Sequence, residues 1–329
     1  MLRRDIAIAI TPDWFCFATK RRPDLKIPAV VGMRKDTRQV IAAGEGALNF
    51  SQSGNQGLVF RRAVEGGEWQ FDVLVTLMKH GITRVTGGNT LFPPRIVVCG
   101  QFTREAHRRV ILEACRESGA RDTHLLPFTI ATALGLDWKI DQPEHQRLLQ
   151  LDRDGFTYGT ISLSGLAAEC AIPWGVDGMI EEIQIYMEGA ESRVPSATEL
   201  EDHLLKHGFA QDGNLLCWNS WIKTVHLGSE TVEPVSKETI LCGAIPTLYR
   251  LRKRYFQCHD GLTPEVRREI YRKPIHLIGR FATMPGLPGL LRTLLNAEIR
   301  VESAPQPETA LRGTRVVLEN LKFLQKTRE

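Results

Sequence analysis

The residues with the clearest bearing on chemistry lie in His145–Gly165, HQRLLQLDRDGFTYGTISLSG. Leu148, Leu149 and Leu151 form a short apolar run, Asp154-Gly155 is a hairpin-turn dipeptide, and Phe156–Leu163 resumes with β-branched and aromatic residues. The stretch therefore reads as strand, tight turn, strand. Such a turn cradles phosphate when several glycines let backbone N–H groups crowd round the anion and a nearby carboxylate holds the metal. Here one glycine, Gly155, sits at the tip between Arg153 and Phe156. A second turn, Thr11-Pro12-Asp13, joins Asp5–Ile10 to Trp14–Thr19, and its proline deletes one N–H donor. Two further groupings carry less. Cys258-His259-Asp260 places a thiol beside an imidazole, but neighbours on a strand point to opposite faces, which gives neither a dyad nor a metal site. His203 and His207 stand at i, i+4 on one helix without a third ligand, and read as a polar helix face.

The frame that must position these turns is an ordinary globular one. With 329 residues, 43% hydrophobic and 24% charged, the chain is long enough for two domains. A formal net charge of +4 supplies no basic stripe for nucleic acid. Seven cysteines, scattered singly with no C-x-x-C, argue against a zinc site or a disulfide framework and fit a reducing cytoplasm. No apolar run approaches the roughly 18 residues of a membrane span, and the first residues lead straight into a strand.

In chain order, a β-meander follows the first hairpin through Ala29–Met33 and Gln39–Ala43 to about Gly46, and the polar stretch Asn49–Gly67 reads as an exposed excursion. Phe71–His80 has helical spacing, Pro94–Cys99 is a buried strand, and Thr103 is placed to cap a helix from Arg104 to Ser118. Ile130–Leu136 reads as a helix, and Pro143 lies in a linker that puts a domain boundary near residue 140. Strand Ala167–Ile172 precedes Gly175-Val176-Asp177-Gly178, which opens a helix over Met179–Met187. Helices are expected at Ala197–His207, towards the end of Lys237–Phe256, at Thr263–Tyr271, Leu287–Leu295 and Glu308–Leu324, with strands at Ile275–Ile278 and Ile299–Val301. The basic run Arg250–Arg254 reads as a solvated helix face. No repeat of 20 to 50 residues is present. Two halves, each opening on a hairpin and continuing with β–α units, predict a duplicated α/β architecture with a cleft between the halves.

Several blocks resemble the bacterial actin family of MreB-like rod-shape proteins. PAVVGMRKDTRQVIAAGEGA (Pro28–Ala47) is similar to a block of that family, P-S-V-V-A-I followed by T-G, A-V-G and A; PRIVVCGQFTREAHRRVILEACRESGA (Pro94–Ala120) is similar to its strand-plus-helix segment, and IHLIGRFATMPGL to TALRGTRVVLENLKFLQK to its closing segment. The resemblance covers all but about Glu188–Val266. It implies the two-domain actin-like fold of the actin, heat-shock chaperone and sugar-kinase superfamily. Domain I would be residues 1–138 with a small subdomain at about 30–68, completed by a helix at 306–329. Domain II would be 139–305, with a small subdomain at about 188–236.

The resemblance also implies a nucleotide site, and there the chain departs from the family. The family's first phosphate hairpin, D-x-G-T-A-N, is here Ala9-Ile10-Thr11-Pro12-Asp13-Trp14, and its second, D-I-G-G-G-T-T-E, is Leu151 to Tyr158 with Arg153, Asp154 and Gly155 at the turn. Ile278-Gly279-Arg280-Phe281 replaces T-G-G-G, and Pro127-Phe128-Thr129 replaces the E-E-P whose glutamate positions the attacking water. The degenerate cleft thus comprises Thr11, Pro12, Asp154, Gly155, Asp177, Gly279 and Arg280, with Phe156, Phe281 and Trp14 expected to stack within it. Without metal-binding carboxylates little phosphoryl chemistry remains, so no catalytic residue, no metal and no ATP or Mg²⁺ cofactor is expected. A divergent ATPase that still binds ATP is the alternative. Leu91-Phe92 stands where the family carries an exposed apolar pair that dips into the membrane, with Arg3, Arg4, Lys20, Arg21 and Arg22 available to anionic lipid. The expectation is a catalytically inactive, cytoplasmic scaffold for cell shape or envelope synthesis. It would self-associate into filaments or modulate an MreB paralogue without polymerising, and lie at the inner face of the cytoplasmic membrane.

Overall fold

The computed structural model describes residues 5–20, 24–53, 57–65, 67–88, 93–102, 104–153, 155–172, 174–190, 194–209, 224–226, 234–304 and 306–320. The chain forms two compact units, residues 1–140 with 306–329, and residues 141–305.

The first unit is built on a five-stranded sheet of order β10-β9-β1-β2-β3. Its strands are β1 (Ile6–Ile10), β2 (Trp14–Thr19), β3 (Leu25–Pro28), β9 (Arg95–Gly100) and β10 (Asp122–Pro127). The first three form an antiparallel meander, and β9 and β10 add parallel to β1. The IAIAI run of β1 is buried at every position, as a strand covered on both faces must be. Its isoleucines join Phe15 and Phe17 in a core with α2 (Phe71–Thr86) and α3 (Glu105–Glu117). On the other face, α4 (Phe128–Gly135) and α10 (Glu308–Glu319) pack together against β1 and β9. A Cβ at Gly313 would lie 1.8 Å from the Ala131 carbonyl oxygen, so the contact between these two helices depends on glycine.

A three-stranded antiparallel sheet of β4 (Val30–Arg34), β5 (Val40–Ala43) and β6 (Leu58–Arg62) carries α1 (Glu45–Gln52) and is followed by the short pair β7 (Val64–Glu65) and β8 (Glu68–Trp69). The described part of the stretch 49–67 is largely exposed, as its polar composition predicts, but it is not without regular structure. It holds the end of α1 and a paired strand, because β6 gains a full register with β4. The cap expected at Thr103 lies outside the described residues; α3 starts after Arg104 with no side-chain cap.

The second unit repeats the plan. Its sheet, β13-β12-β11-β16-β17, has a meander of β11 (Gln146–Leu151), β12 (Phe156–Ser162) and β13 (Gly165–Ile172), with β16 (Ile275–Ile278) and β17 (Ile299–Val301) added parallel. Around it lie α5 (Val176–Ala190), α6 (Ala197–His207), the proline-containing α7 (Lys237–Gln257), α8 (Pro264–Arg272) and α9 (Leu287–Leu295), besides a small hairpin of β14 (Thr224–His226) and β15 (Pro234–Ser236). Two local signals set helix starts here. Ser196 and Glu199 close a capping box on α6, and the Thr263 hydroxyl caps α8. The five-stranded sheet in each unit follows the same order of meander and parallel additions, which is the duplicated α/β architecture expected from the two hairpin starts.

Candidate functional site

The turn between β1 and β2 is closed by its own first residue. The Thr11 amide donates to the Trp14 carbonyl at 2.9 Å, the Thr11 hydroxyl oxygen accepts from the Trp14 amide at 3.1 Å, and the same hydroxyl lies 3.2 Å from the Trp14 carbonyl. Pro12 has no N–H to offer. The Asp13 carbonyl accepts from the Ala29 amide at 2.8 Å, and its carboxylate meets Arg62 at 3.4 Å. An anion approaching this turn would find two of its four N–H positions engaged within the hairpin and a third absent.

The turn between β11 and β12 is held differently. The Asp152 amide donates to the Gly155 carbonyl at 3.1 Å, while the Asp152 and Arg153 carbonyls accept from the Val176 and Asp177 amides at 3.1 and 2.8 Å. The N-terminus of α5, the part of a helix best suited to an anion, thus donates to neutral carbonyls of the turn. Close approach makes this possible: a Cβ at Gly175 would lie 2.3 Å from the Gly155 nitrogen and 2.4 Å from the Arg153 oxygen. Asp154 lies outside the described residues.

Arg153 then turns its guanidinium onto a carboxylate that was not among the candidate site residues. Its Nη2 reaches both oxygens of Glu201 on α6, at 2.6 and 2.5 Å, and its Nη1 reaches Asp177 at 3.1 Å. Arg280, in the turn after β16, approaches the same Glu201 at 3.0 Å. Glu201 is 6% exposed, so two guanidiniums surround one buried carboxylate, with Asp177 balancing the charge. The signal for Glu201 was available, since it sits beside Leu200 and three residues before Leu204 on the buried stripe of α6. Gly279 takes φ +110, and a Cβ there would lie 2.5 Å from the Leu151 oxygen, so the turn carrying Arg280 needs glycine at that point.

The expected aromatic stack is corrected. Phe156 and Phe281 belong to the apolar core of the second unit, with Met179, Ile180 and Leu277. Strand alternation sends Phe156 inward, and the turn in which Met284 bonds back to the Phe281 carbonyl buries that ring. Trp14, in the first unit, lies under the Lys26 ammonium at 4.5 Å from its ring centre.

Leu91 and Phe92 lie outside the described residues. Cys258 and His259 do not sit on a strand; they follow α7, with the thiol sulfur 3.5 Å from His259 Nδ1. His203 and His207 bring their rings to 4.9 Å, but His203 is buried, so this is not a wholly polar face. Among the described residues no group of three His, Cys, Asp or Glu side chains is placed to hold a metal, and no helix is long and apolar enough to cross a membrane.

The model of the MreB/Mbl protein family matches residues 15–326. The chain belongs to the MreB/Mbl family. It is 23% identical over 225 residues to the cell shape-determining protein MreB of Haemophilus influenzae, a match covering 65% of this chain and 64% of that protein. It is 26% identical over 171 residues to the MreB of Escherichia coli K12, covering 50% and 49%. The matched stretch thus spans less than two thirds of either curated relative. Among solved structures, MreB 5 of Spiroplasma citri bound to AMPPNP superposes with a TM-score of 0.78 at 14% identity, covering 99% of both chains. The MamK double helical filament gives 0.68 at 13%, covering 96% of this chain and 99% of that one. The fold is actin-like.

Set in the MreB/Mbl frame, the positions at which the resemblance implies carboxylates are core positions here. Ala9 is a fully buried residue of β1 paired with Cys16 and Cys99, and Leu151 ends β11 inside the core of the second unit. Pro127 ends β10, and Phe128 and Thr129 are buried in the first turn of α4.

Proposed function

We propose that this MreB/Mbl-family chain is a nucleotide-independent cytoskeletal scaffold acting in cell shape or envelope synthesis, with no ATPase activity. The observation that carries the reading is the Arg153–Glu201–Arg280 cluster with Asp177, whose guanidiniums are neutralised by the chain's own carboxylates. Phosphoryl transfer depends on positioned cations and donors left open to the nucleotide, and here both arginines of the turns are drawn onto the chain's own buried Glu201. The self-closed Thr11 turn supports the same conclusion.

Actin-like subunits that join head to tail make a heterologous contact, which builds filaments, and the MamK neighbour was solved as a double helical filament. A subunit of this chain would assemble the same way without hydrolysis to time disassembly. Analytical sedimentation across a concentration series, with and without Mg-ATP, together with calorimetric titration of ATP, tests this. Assembly that depends on concentration alone and a flat ATP titration are expected; assembly that requires ATP overturns the proposal. Nucleotide retention is the rival reading, favoured by the Spiroplasma citri neighbours solved with ADP and AMPPNP, and micromolar ATP binding would establish it. A chain that stays monomeric at every concentration would instead act on the filament of an MreB paralogue.

The proposal extends to the inner face of the cytoplasmic membrane through Leu91 and Phe92. Each apolar side chain contributes about 1.5–3 kcal/mol on burial, so one subunit binds weakly and an array holds by avidity. Co-sedimentation with anionic liposomes should be lost in a Leu91→Ala/Phe92→Ala variant. Equal pelleting of both proteins removes the membrane claim.

A further inference from the structure

Residues 252–292 hold nine Lys and Arg against three Asp and Glu, whereas the whole chain holds 42 against 38. Among the described residues only Arg280 of these nine is in an ion pair, and of the three acids Glu269 is taken by His145. Elsewhere the chain neutralises its own cations. On α3 of the first unit Arg104, Arg109 and Arg116 pair with Glu68, Glu105 and Glu113, and on α7 itself Arg250 is tied to Glu182 and stacked on Trp174 at 4.8 Å from its ring centre. The basic run Arg250–Arg254 is therefore not one uniform solvated face: its first member is paired, and the three that follow are not.

Three helices bring the unpaired cations together. Arg252 donates its Nε–H to the Leu294 carbonyl in the last turn of α9 at 3.2 Å and lies over the Phe256 ring at 5.3 Å, and Phe256 in turn meets Tyr271 of α8 at 6.2 Å between ring centres. The ends of α9, α7 and α8 thus lie side by side. Arg292 and Arg272 occupy the last turns of α9 and α8, Lys253 follows Arg252, and Arg268 stands one turn before Arg272, all of them exposed. Phe256, Tyr271 and Leu294 are half-buried between them. The nearest acids are removed from this face: Glu265 lies in the first turn of α8, at its other end, and Glu298 is paired with Arg300. A cation in the last turn of a helix complements the helix dipole, which accounts for Arg254, Arg272 and Arg292. Lys253 and Arg268 have no such explanation.

We propose that this face of the second unit, with Arg252, Lys253, Arg268, Arg272 and Arg292 around Phe256 and Tyr271, is a docking surface for anionic lipid headgroups. Charge sets the class of occupant, because five cations without carboxylates of their own call for anions supplied from outside. Side-chain freedom selects lipid among the anions. Among the described residues no hydrogen bond pins the head of Lys253, Arg268, Arg272 or Arg292, so the cations can follow a fluid array of phosphates, where affinity depends on the number of charges and not on a fixed register. Their long stems keep the charged heads in water over the half-buried rings, and aromatic side chains favour the headgroup level. Each cation brought to an anionic leaflet raises partitioning about fivefold. The choice of a membrane as occupant rests on the membrane reading given above, but the surface includes neither Leu91 nor Phe92, so the two claims can fail separately.

The test centrifuges the full chain with vesicles of phosphatidylglycerol and phosphatidylcholine, and with phosphatidylcholine vesicles as the neutral control. Lys253→Gln/Arg268→Gln/Arg272→Gln removes three exposed, unpaired charges, and circular dichroism checks that it folds. Its partitioning to the anionic vesicles should fall about a hundredfold, wild-type binding should weaken as salt is added, and neutral vesicles should show no difference between the two. Arg268→Lys/Arg272→Lys, which keeps charge but not the guanidinium fork, should bind like wild type. A triple variant that binds anionic vesicles like wild type overturns the surface and leaves the Leu91–Phe92 reading untouched. Loss in the triple variant with full binding by Leu91→Ala/Phe92→Ala upholds the surface and removes the apolar pair. Loss in Arg268→Lys/Arg272→Lys, or tighter wild-type binding to a DNA duplex or an acidic peptide than to anionic vesicles at the same salt, overturns the proposal in favour of a partner with fixed anion positions.

Discussion

The two hairpin turns occupy the same place in duplicated sheets, yet they are closed by different physics. The Thr11–Trp14 turn is shut by short-range hydrogen bonds and a missing donor, all within four residues. The Asp152–Gly155 turn is shut by tertiary contacts: the α5 N-terminus under its carbonyls and Arg153 reaching Glu201 on another helix. The first turn loses anion affinity by having little to donate. The second keeps cations and donors but spends them internally. A turn of the first kind is insensitive to what surrounds it, whereas one of the second kind depends on a buried carboxylate, and this contrast sets the order of the effects below.

The largest effect is expected at Glu201. Removing its carboxylate leaves Arg153, with only a fifth of its side chain exposed, facing Arg280 without the shared counter-charge. Breaking a buried pair this way costs about 3–5 kcal/mol, and Glu201→Ala should lower the midpoint of urea unfolding accordingly. Arg280→Ala should cost under about 1 kcal/mol, because that side chain is 58% exposed. If the two variants unfold alike, the second turn is not organised by its buried anion and the contrast collapses.

Gly175→Ala comes next. The added methyl carbon meets three backbone atoms of the turn at 2.3–2.5 Å, and backbone cannot step aside as a flexible side chain can. A loss of about 1–3 kcal/mol is expected, together with faster amide exchange at Val176 and Asp177 as α5 is pushed away from the turn. Exchange confined to residue 175 would show that the turn and helix are not coupled. In the first unit, Thr11→Val should cost less, about 1–2 kcal/mol, since it strips the Trp14 amide of its hydroxyl partner but leaves the hairpin register intact. Thermal melts of the two variants, read side by side, rank the local closure against the tertiary one.

The same contrast explains what could be read from the chain. The Thr11–Trp14 turn was legible because its determinants are consecutive: a proline, a hydroxyl and two flanking apolar strands. Helix α6 was legible to its ends, Ala197–His207, since a capping box and an apolar stripe are local signals. Helix α1 and strand β6 were not, because apolar and polar residues are mixed there without a clear period and only pairing with β4 makes the strand. For the second turn the hairpin was legible, but the partner of Arg153 was not: Glu201 lies 48 residues away, and charge pairing across that separation leaves no periodicity to find. The inward course of Phe156 and Phe281 failed for a related reason. Aromatic residues beside a ligand turn were read as lining it, although a strand residue after a turn faces the core as readily as the solvent.

A smaller effect distinguishes the two units through pH. In the second unit buried His259 is held below its ordinary pKa first by desolvation and then by Arg147 on β11 and Arg267 on α8, against the opposing hydrogen bond to the Tyr255 carbonyl and a weaker pull from Asp260. Tyr158, Tyr255, Tyr271 and Cys258 complete its surroundings, and Arg147 is pinned by the Ile270 and Lys273 carbonyls and the Tyr255 hydroxyl at 2.7, 2.8 and 2.7 Å. Because the unfolded chain takes up the proton near pH 6.5 and the folded one only lower, stability is full above about 6.5 and falls as pH drops through that window. His80 on α2 of the first unit is shifted in the same direction by burial and by Arg84, but it is half-buried where His259 is fully enclosed and hydrogen-bonded on both nitrogens. Urea midpoints measured from pH 7.5 to 5 should therefore decline, and His259→Gln should flatten the decline more than His80→Gln does. A steeper dependence on His80 would move the acid-labile element into the first unit, and with it the claim that long-range polar closure belongs to the second.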